Sequence, residues 1–282
     1  MFSLSKKTRP LAIGAAGVSA LVALAGFTGP AVAGTDLQHT AKEKPTVVLV
    51  HGAWADGSSW DKVAAKLQDD GYPVVTPPDE LRGVSWDAQN LRAYLNTIPG
   101  PIVLAGHSYG GMVITNAALG DKQVKALVYV DAYIPDQDDT VLSLTGAQPG
   151  SVFAADPSTL FNQVVVPNGP DNAADLYVKP SVFGSAFTGK SVPAQEVALL
   201  VARQRPLSSA ALSEKSGEPA WRTIPSWSVI GKQDAIIPPA EQVAMSKRAK
   251  AHTIEVNAPH LSMITAPGAV TGQIEAAAKA TD

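Results

Sequence analysis

The run from Ile102 to Ile114, Ile-Val-Leu-Ala-Gly-His-Ser-Tyr-Gly-Gly-Met-Val-Ile, constrains this chain more tightly than any other segment. Its centre, Gly106-His107-Ser108-Tyr109-Gly110, has the form G-x-S-x-G. An apolar stretch precedes it and a helix-compatible stretch, Met112 to Leu119, follows. That order predicts a strand, a very tight turn and a helix. In such a turn the serine is forced into a strained backbone conformation, and glycines on both sides let strand and helix approach closely. The hydroxyl is lifted clear of the sheet and the helix N-terminus points at it, where the positive end of the dipole favours developing negative charge. Ser108 is therefore a candidate nucleophile. The plainer alternative is a helix-capping serine in a glycine-rich turn.

The surrounding chain supplies the sheet that such a turn needs. Candidate strands are Thr46–Val50, Val74–Thr76, Ile102–Ala105, Ala126–Val130, Trp227–Ile230 and Thr253–Val256. They are continuous apolar runs, as expected for strands buried on both faces. Helical patterns lie between them. Ser59 is a candidate cap for a helix carrying Trp60, Val63, Ala64 and Leu67 and closed by Gly71; Ser85 is one for a helix carrying Trp86, Leu91 and Leu95. Pro238-Pro239 opens another helix and Pro267 the last. The alternation predicts an α/β fold, a mostly parallel, doubly wound sheet of about six strands with helices on both faces.

One stretch breaks the rhythm. Residues 135–219 contain no convincing buried strand, only mixed helical patterns and turn clusters such as Pro167-Asn168-Gly169-Pro170. They are expected to form a helical cap inserted between a first part of the core, 34–134, and a second part, 220–282. Beyond residue 33 every phenylalanine, Phe153, Phe161, Phe183 and Phe187, falls in this insertion. These residues suit either an apolar wall over a substrate pocket or the cap's own core. Trp54 and Leu261, beside the candidate site residues, join them as pocket candidates.

The N-terminus reads as a leader. Lys6, Lys7 and Arg9 precede an apolar run from Leu11 to Phe27, and Ala31-Val32-Ala33 has the A-x-A form of a cleavage site. Residues 1–33 are expected to be a signal peptide removed after Ala33, giving a secreted or extracytoplasmic protein with no membrane contact after cleavage. No Arg-Arg pair is present, so the general secretory route is expected. Removing that leader takes three of the 22 basic side chains and none of the 25 acidic ones, which leaves 19 against 25 and a net charge of −6. Such a balance disfavours a nucleic-acid partner. Cysteine is absent, so the fold must hold without disulfides. The five histidines are scattered, and no metal or cofactor is expected.

A serine hydroxyl needs a base to take its proton and a third group to hold that base. His260, in Asn257-Ala258-Pro259-His260-Leu261-Ser262, follows the last candidate strand, at the sheet end where α/β sites form. His39 lies in the N-terminal tail, His51 in the first tight turn, and His107 beside the serine but pointing away; His252 precedes a strand. An unperturbed imidazole titrates near ~6.5, so activity that depends on His260 is expected to fall on the acid side in that region. For the acid, Asp234 and Asp131 both follow strands; the G-x-x-D turn at Gly231 favours Asp234, and a turn or capping role is the alternative for Asp131. Two backbone N–H groups are candidates for an oxyanion hole, Tyr109 directly after the serine and Ala53 in His51-Gly52-Ala53-Trp54.

The assembled pattern resembles the α/β-hydrolase superfamily. The resemblance rests on Val47-Val48-Leu49-Val50-His51-Gly52-Ala53-Trp54, Gly106-His107-Ser108-Tyr109-Gly110-Gly111, Gly231-x-x-Asp234 and Pro259-His260, across about residues 45–280. The His-Gly-Ala-Trp turn and the segment Val128 to Pro135 look most like the compact branch of small esterases, plant methyl-ester hydrolases and hydroxynitrile lyases. The resemblance implies a helical cap at 135–219, a triad Ser108–Asp234–His260 and oxyanion donors Ala53 and Tyr109. The lyases usually carry a lysine directly after the catalytic histidine; here that position is Leu261, whose apolar side chain is expected to suit an ester's alkyl or aryl portion. The expected function is a secreted serine esterase that cleaves small-molecule carboxylic esters through an acyl-enzyme. The alternatives are hydroxynitrile-lyase-like or cofactor-free perhydrolase activity, or a ligand-binding protein on the same fold. The sequence leaves the oligomeric state open.

Overall fold

Each apolar run becomes a strand of one parallel sheet. The computed structural model describes residues 44–165, 167 and 173–281; the leader, Gly34, His39 and the turn residues Asn168, Gly169 and Pro170 lie outside the described residues. The sheet has six strands in the order β2-β1-β3-β4-β8-β9: β1 Thr46–Val50, β2 Val74–Val75, β3 Ile102–His107, β4 Val124–Val130, β8 Ser226–Gly231 and β9 His252–Val256. All pairings are parallel. Strands β3 and β8 are buried throughout, which explains their unbroken apolar character. Strand β9 departs from that expectation. It is the sheet edge and most of its residues face solvent.

Helices supply the crossovers: α1 Asp61–Asp69, α2 Val84–Leu95, α3 Gly110–Ala117, α8 Pro239–Arg248 and, after the short α9 Ser262–Thr265, the final α10 Pro267–Ala280. Helix α1 packs on α10 and α2 packs on α3. The chain reverses direction across the sheet after β2, so right-handed crossovers put these two pairs on opposite faces. Among the described residues no helix is long and apolar enough to cross a membrane.

Two helix starts differ from expectation. Asp56, not Ser59, caps the first turn by accepting from Ser58 N at 2.9 Å. Helix α2 begins at Val84 with no cap from its own chain start; Glu214 Oε1 accepts from both Ser85 N and Ser85 Oγ. Trp86 faces solvent and its indole donates to Glu80, while Leu91 and Leu95 are buried as the pattern requires.

Between β4 and β8 lies the cap. It carries the expected helical pieces, α4 Val141–Thr145, α5 Pro157–Leu160, α6 Pro180–Phe183 and α7 Ala194–Arg203. It also carries a three-stranded antiparallel sheet that the sequence did not announce, β5 Phe161–Val165, β6 Ala174–Val178 and β7 Leu207–Ser208. Only β6 shows the strict alternation of a half-buried strand, with Ala174, Leu176 and Val178 inward. Strand β5 buries Phe161 alone, and β7 spans two residues, so neither gives a readable period.

Register places the strand exits side by side. Val50 pairs with Gly106, His107 with Val130, Val130 with Val229, and Gly231 with Val256. The loops after β1, β3, β4, β8 and β9 therefore share one edge. Strand β1 is where the winding order reverses, and α/β proteins open a crevice beside such a strand.

Candidate active site

Strand β3 runs straight into the turn at Ser108, which takes φ = 53°, and α3 begins two residues later. A non-glycine residue in this left-handed region costs roughly 1–2 kcal/mol. A Cβ on Gly106 would lie 2.6 Å from the Gly110 carbonyl oxygen, so this close approach of strand and helix admits only glycine. Ser108 is almost fully buried yet lines a cavity beside Ala53 and Tyr109. Among the described residues neither the Ala53 nor the Tyr109 amide has a backbone acceptor, whereas the next amide, Trp54 N, donates to Arg205 O at 3.2 Å.

His260 lies between β9 and α9 and is completely buried. Its Nδ1 meets Asp234 Oδ2 at 2.8 Å, which leaves Nε2 as the nitrogen able to take a proton. Burial pushes the imidazole down to about 3, well below the ordinary value near 6.5, so the ring is a neutral acceptor. Burial thus works against the transition near 6.5 expected of an unperturbed imidazole. Ser108 Oγ and His260 Nε2 are not hydrogen-bonded to each other in this structure, an arrangement common before substrate arrives.

Asp234 sits in the loop leaving β8. Burial pushes its carboxyl up to about 8, against the pull of the donors around it. Ile236 N and Ile237 N donate to Oδ1 at 2.8 and 3.0 Å, and Gln242 Nε2 donates to Oδ2 at 2.7 Å. With His260 Nδ1 that makes four donors on two oxygens. A carboxylic acid would have to turn its own O–H against one of them, so the donor set selects the carboxylate. Gln242, on α8, carries no sequence signal for this role; it is visible only once α8 is folded back over the loop.

The second candidate acid has another task. Asp131 is fully buried at φ = 45°, with Oδ1 accepting from Gly231 N at 2.7 Å and Oδ2 from Ser262 N at 3.0 Å. It ties the loop that carries Asp234 to the helix start that follows His260, and the structure brings Asp234 rather than Asp131 to the imidazole. His107 has a part the sequence did not suggest. Its side chain is buried, its Nε2 bonds the His260 carbonyl at 3.0 Å, and the two rings lie 4.7 Å apart. Tyr109 also does more than offer an amide, since its hydroxyl donates to the buried Asp87 at 2.8 Å and ties the serine turn to α2. His252 is exposed at the start of β9.

The cavity beside Ser108 has a volume of about 220 Å³. The core contributes Ala53, Trp54, Tyr133 and Ile236, and the cap contributes Val141, Phe153, Phe161, Leu176 and Leu207. Trp54 stacks on Phe161 at 5.4 Å and meets Phe153 edge-on at 5.1 Å, its indole donating to Leu176 O at 2.8 Å. The other three pocket candidates do not line this space. Phe183 and Phe187 stack on each other at 4.4 Å, Phe187 stands edge-on to His260 at 5.5 Å, and Leu261 joins them in a separate narrow crevice. The Leu261 amide is held by Phe187 O at 3.1 Å, which turns its side chain into the core and away from any ligand beside Ser108. Phe183, Phe187 and Leu261 thus serve cap packing, and Trp54, Phe153 and Phe161 form the wall.

Known proteins share the family and the fold. The sequence profile of the alpha/beta hydrolase family matches residues 47–273. Over 112 residues the chain is 36% identical to a carbendazim hydrolyzing esterase of Nocardioides sp. (strain SG-4G), covering 34% of this chain and 46% of that protein, about half its length. It is 25% identical over 232 residues to Methylesterase 18 of Arabidopsis thaliana, covering 73% of this chain and 86% of the relative. An extracellular alpha/beta-hydrolase from a Paenibacillus species superposes with a TM-score of 0.67 at 20% identity, covering 83% of this chain and 98% of that one. That protein is described as sharing structural and functional homology with tobacco salicylic acid binding protein 2, and the likeness shows a shared fold.

Proposed function

The chain belongs to the alpha/beta hydrolase family, and from that membership we propose that it hydrolyses carboxylic esters through Ser108, His260 and Asp234. In this reading the Ser108 oxygen bonds to the ester carbonyl carbon while its proton passes to His260 Nε2. Asp234 holds the ring and balances the imidazolium. The Ala53 and Tyr109 amides take the oxyanion. The carbonyl–alkoxide bond then breaks, and His260 returns the proton to the departing alcohol. Water repeats the sequence on the acyl-enzyme, which releases the acid and restores Ser108. The observation that most supports this reading is the buried, neutral His260 held by Asp234 at 2.8 Å, on the same sheet edge as a strained Ser108 that lines an apolar cavity.

Esterase and methylesterase relatives support ester substrates for this chain as well. The aromatic wall suits a small ester with an apolar body. Among the described residues no lysine or arginine lines the cavity, so a departing cyanide finds no cation in that lining, and ester cleavage is favoured over cyanohydrin cleavage. The leader read in residues 1–33 supports a working enzyme outside the cytoplasm that begins at Gly34.

The test uses chain 34–282 with p-nitrophenyl esters of increasing acyl length, with mandelonitrile in parallel. Ester turnover and a single organophosphonate adduct on Ser108, located by mass spectrometry, are the expected results. An adduct on another serine, or mandelonitrile cleavage without ester turnover, overturns the reading. N-terminal sequencing of the exported protein is expected to begin at Gly34.

A further inference from the structure

We infer that His51 is a positioning residue for the oxyanion hole: its ring fixes the direction of the Ala53 amide by holding the carbonyl of the same peptide unit. The inference rests on the proposed role of Ala53 as an oxyanion donor.

The tautomer of His51 follows from its partners. The backbone N–H of Asp79 lies 3.0 Å from Nε2, and an N–H can only donate, so Nε2 is the bare nitrogen. Burial, with Arg205 adding to it against the Gly52 hydrogen bond, pushes the imidazole down to about 4 and keeps it neutral. The ring's one hydrogen is therefore on Nδ1, 2.9 Å from the Gly52 carbonyl oxygen, and it donates there.

The Gly52 carbonyl and the Ala53 N–H belong to one planar trans peptide and point in opposite directions. Fixing the oxygen fixes the N–H. Drawing electron density toward that oxygen also strengthens the N–H as a donor. The peptide sits against the nucleophile, since a Cβ on Gly52 would lie 2.7 Å from Ser108 Cβ. The next amide is already spent on Arg205 O, so rotation of this one peptide decides whether the loop after β1 offers a donor to the cavity. The Asp79 backbone holds the far side of the ring, and its own side-chain Oδ1 accepts from Leu81 N at 3.3 Å. The bonds thus run from Asp79 N through the ring to the Gly52–Ala53 peptide.

Two substitutions separate the ring nitrogens. His51→Asn keeps an N–H near the Nδ1 position and loses the acceptor for Asp79. His51→Gln places its amide near Nε2 and leaves Gly52 O without its donor. With an ester that wild type turns over, His51→Gln is expected to lower kcat about 100-fold, the size of losing one oxyanion donor, with KM within about twofold. His51→Asn is expected to stay within about tenfold of wild-type kcat. Affinity for a trifluoromethyl ketone, which forms an oxyanion on Ser108, should fall in parallel with kcat across the two variants. Equal loss in both variants, or a rise in KM at unchanged kcat, overturns the inference. Should either variant fail to fold, ¹⁵N-labelled histidine in wild type gives the second reading: a proton on His51 Nδ1 supports the arrangement and one on Nε2 overturns it. Absent ester turnover by wild type would instead count against the proposed function, so the two failures are distinguishable.

Discussion

The sheet edge and the cap meet at one cavity and are built by different rules. Every group assigned to the chemistry comes from a loop that leaves the parallel sheet: Ala53 after β1, Ser108 and Tyr109 after β3, Asp234 after β8 and His260 after β9. Buried hydrogen bonds hold Asp234 through Gln242, His260 through His107 and Tyr109 through Asp87, and Asp131 ties the strand end before Asp234 to the helix start after His260. The cap contributes contact area, chiefly Phe153, Phe161 and Leu176. Its elements are mostly short, its outer strand β5 exposes Val164 and Val165, and it meets the core through apolar packing and hydrogen bonds such as those of Trp54 with the Arg205 and Leu176 carbonyls. On the proposed reading, the hydrogen-bonded rim sets the reaction type and the apolar wall the selectivity.

Substitutions that separate the two regions should differ in kind as well as size. The largest effect is expected for Ser108→Ala, a fall in kcat of roughly 10⁴- to 10⁶-fold with the fold intact by circular dichroism. A residual rate near wild type would end the assignment. Next, Asp234→Asn should lower kcat by about 10³- to 10⁴-fold, because His260 loses the acceptor that orients it. Asp131→Asn should cost far less in rate. It leaves Gly231 N or Ser262 N facing an amide that cannot accept, a loss of about 1–3 kcal/mol of stability measurable by urea unfolding. If Asp131→Asn proves the more damaging to rate in a folded protein, the two carboxylates exchange roles.

In the cap, Phe161→Ala removes the ring stacked on Trp54. It should reduce kcat/KM for longer or aryl acyl esters by roughly 10- to 100-fold, in the range of hydrophobic pocket discrimination, and leave acetyl esters nearly unchanged. Uniform loss across all acyl lengths would mean that the cap does more than select.

The smallest effect is in pH. His260 must be neutral to act, and burial lowers its pKa, so kcat/KM should stay level below pH 6.5 and fall only as pH drops through the lowered value. At about pH 5.5 an ordinary imidazole would already have cost roughly tenfold in rate, and this chain should keep most of its activity. A midpoint at or above 6.5 would contradict the burial argument. Phe161→Ala should leave the midpoint where it is, since the limb belongs to the sheet edge.

The same contrast explains what could be read in advance. Strands buried on both faces must be continuous apolar runs, and the six apolar runs match the strands of the sheet to within a few residues at each end. The candidates Ser108 and His260 are legible because their motifs follow such strands, and the turn at Gly231 favours Asp234 over Asp131. The supporting partners were not legible. Gln242, Asp87 and Glu214 reach their targets from other elements, and no local pattern encodes a contact across 100 residues or more, such as Asp131 with Ser262. The antiparallel sheet of the cap escaped because β5 has one buried side chain and β7 is too short for a period. Leu261 and Phe187 were misjudged for a related reason. Apolar character marks a side chain as buried without saying on which side of a histidine it is buried.

Three neighbouring strands leave the sheet through residues in the left-handed region, and none of them is glycine: Trp54, Ser108 and Asp131, at φ of 57°, 53° and 45°. At Ser108 a change to glycine would recover roughly 1 kcal/mol of strain. A library randomised at that codon and sorted only for resistance to protease should drift toward glycine or asparagine, and one sorted for turnover should return to serine. On the proposed reading, the serine at position 108 trades stability for turnover. A duplicated copy released from catalytic demand would be expected to lose this serine early, and to become more heat-tolerant as it did so.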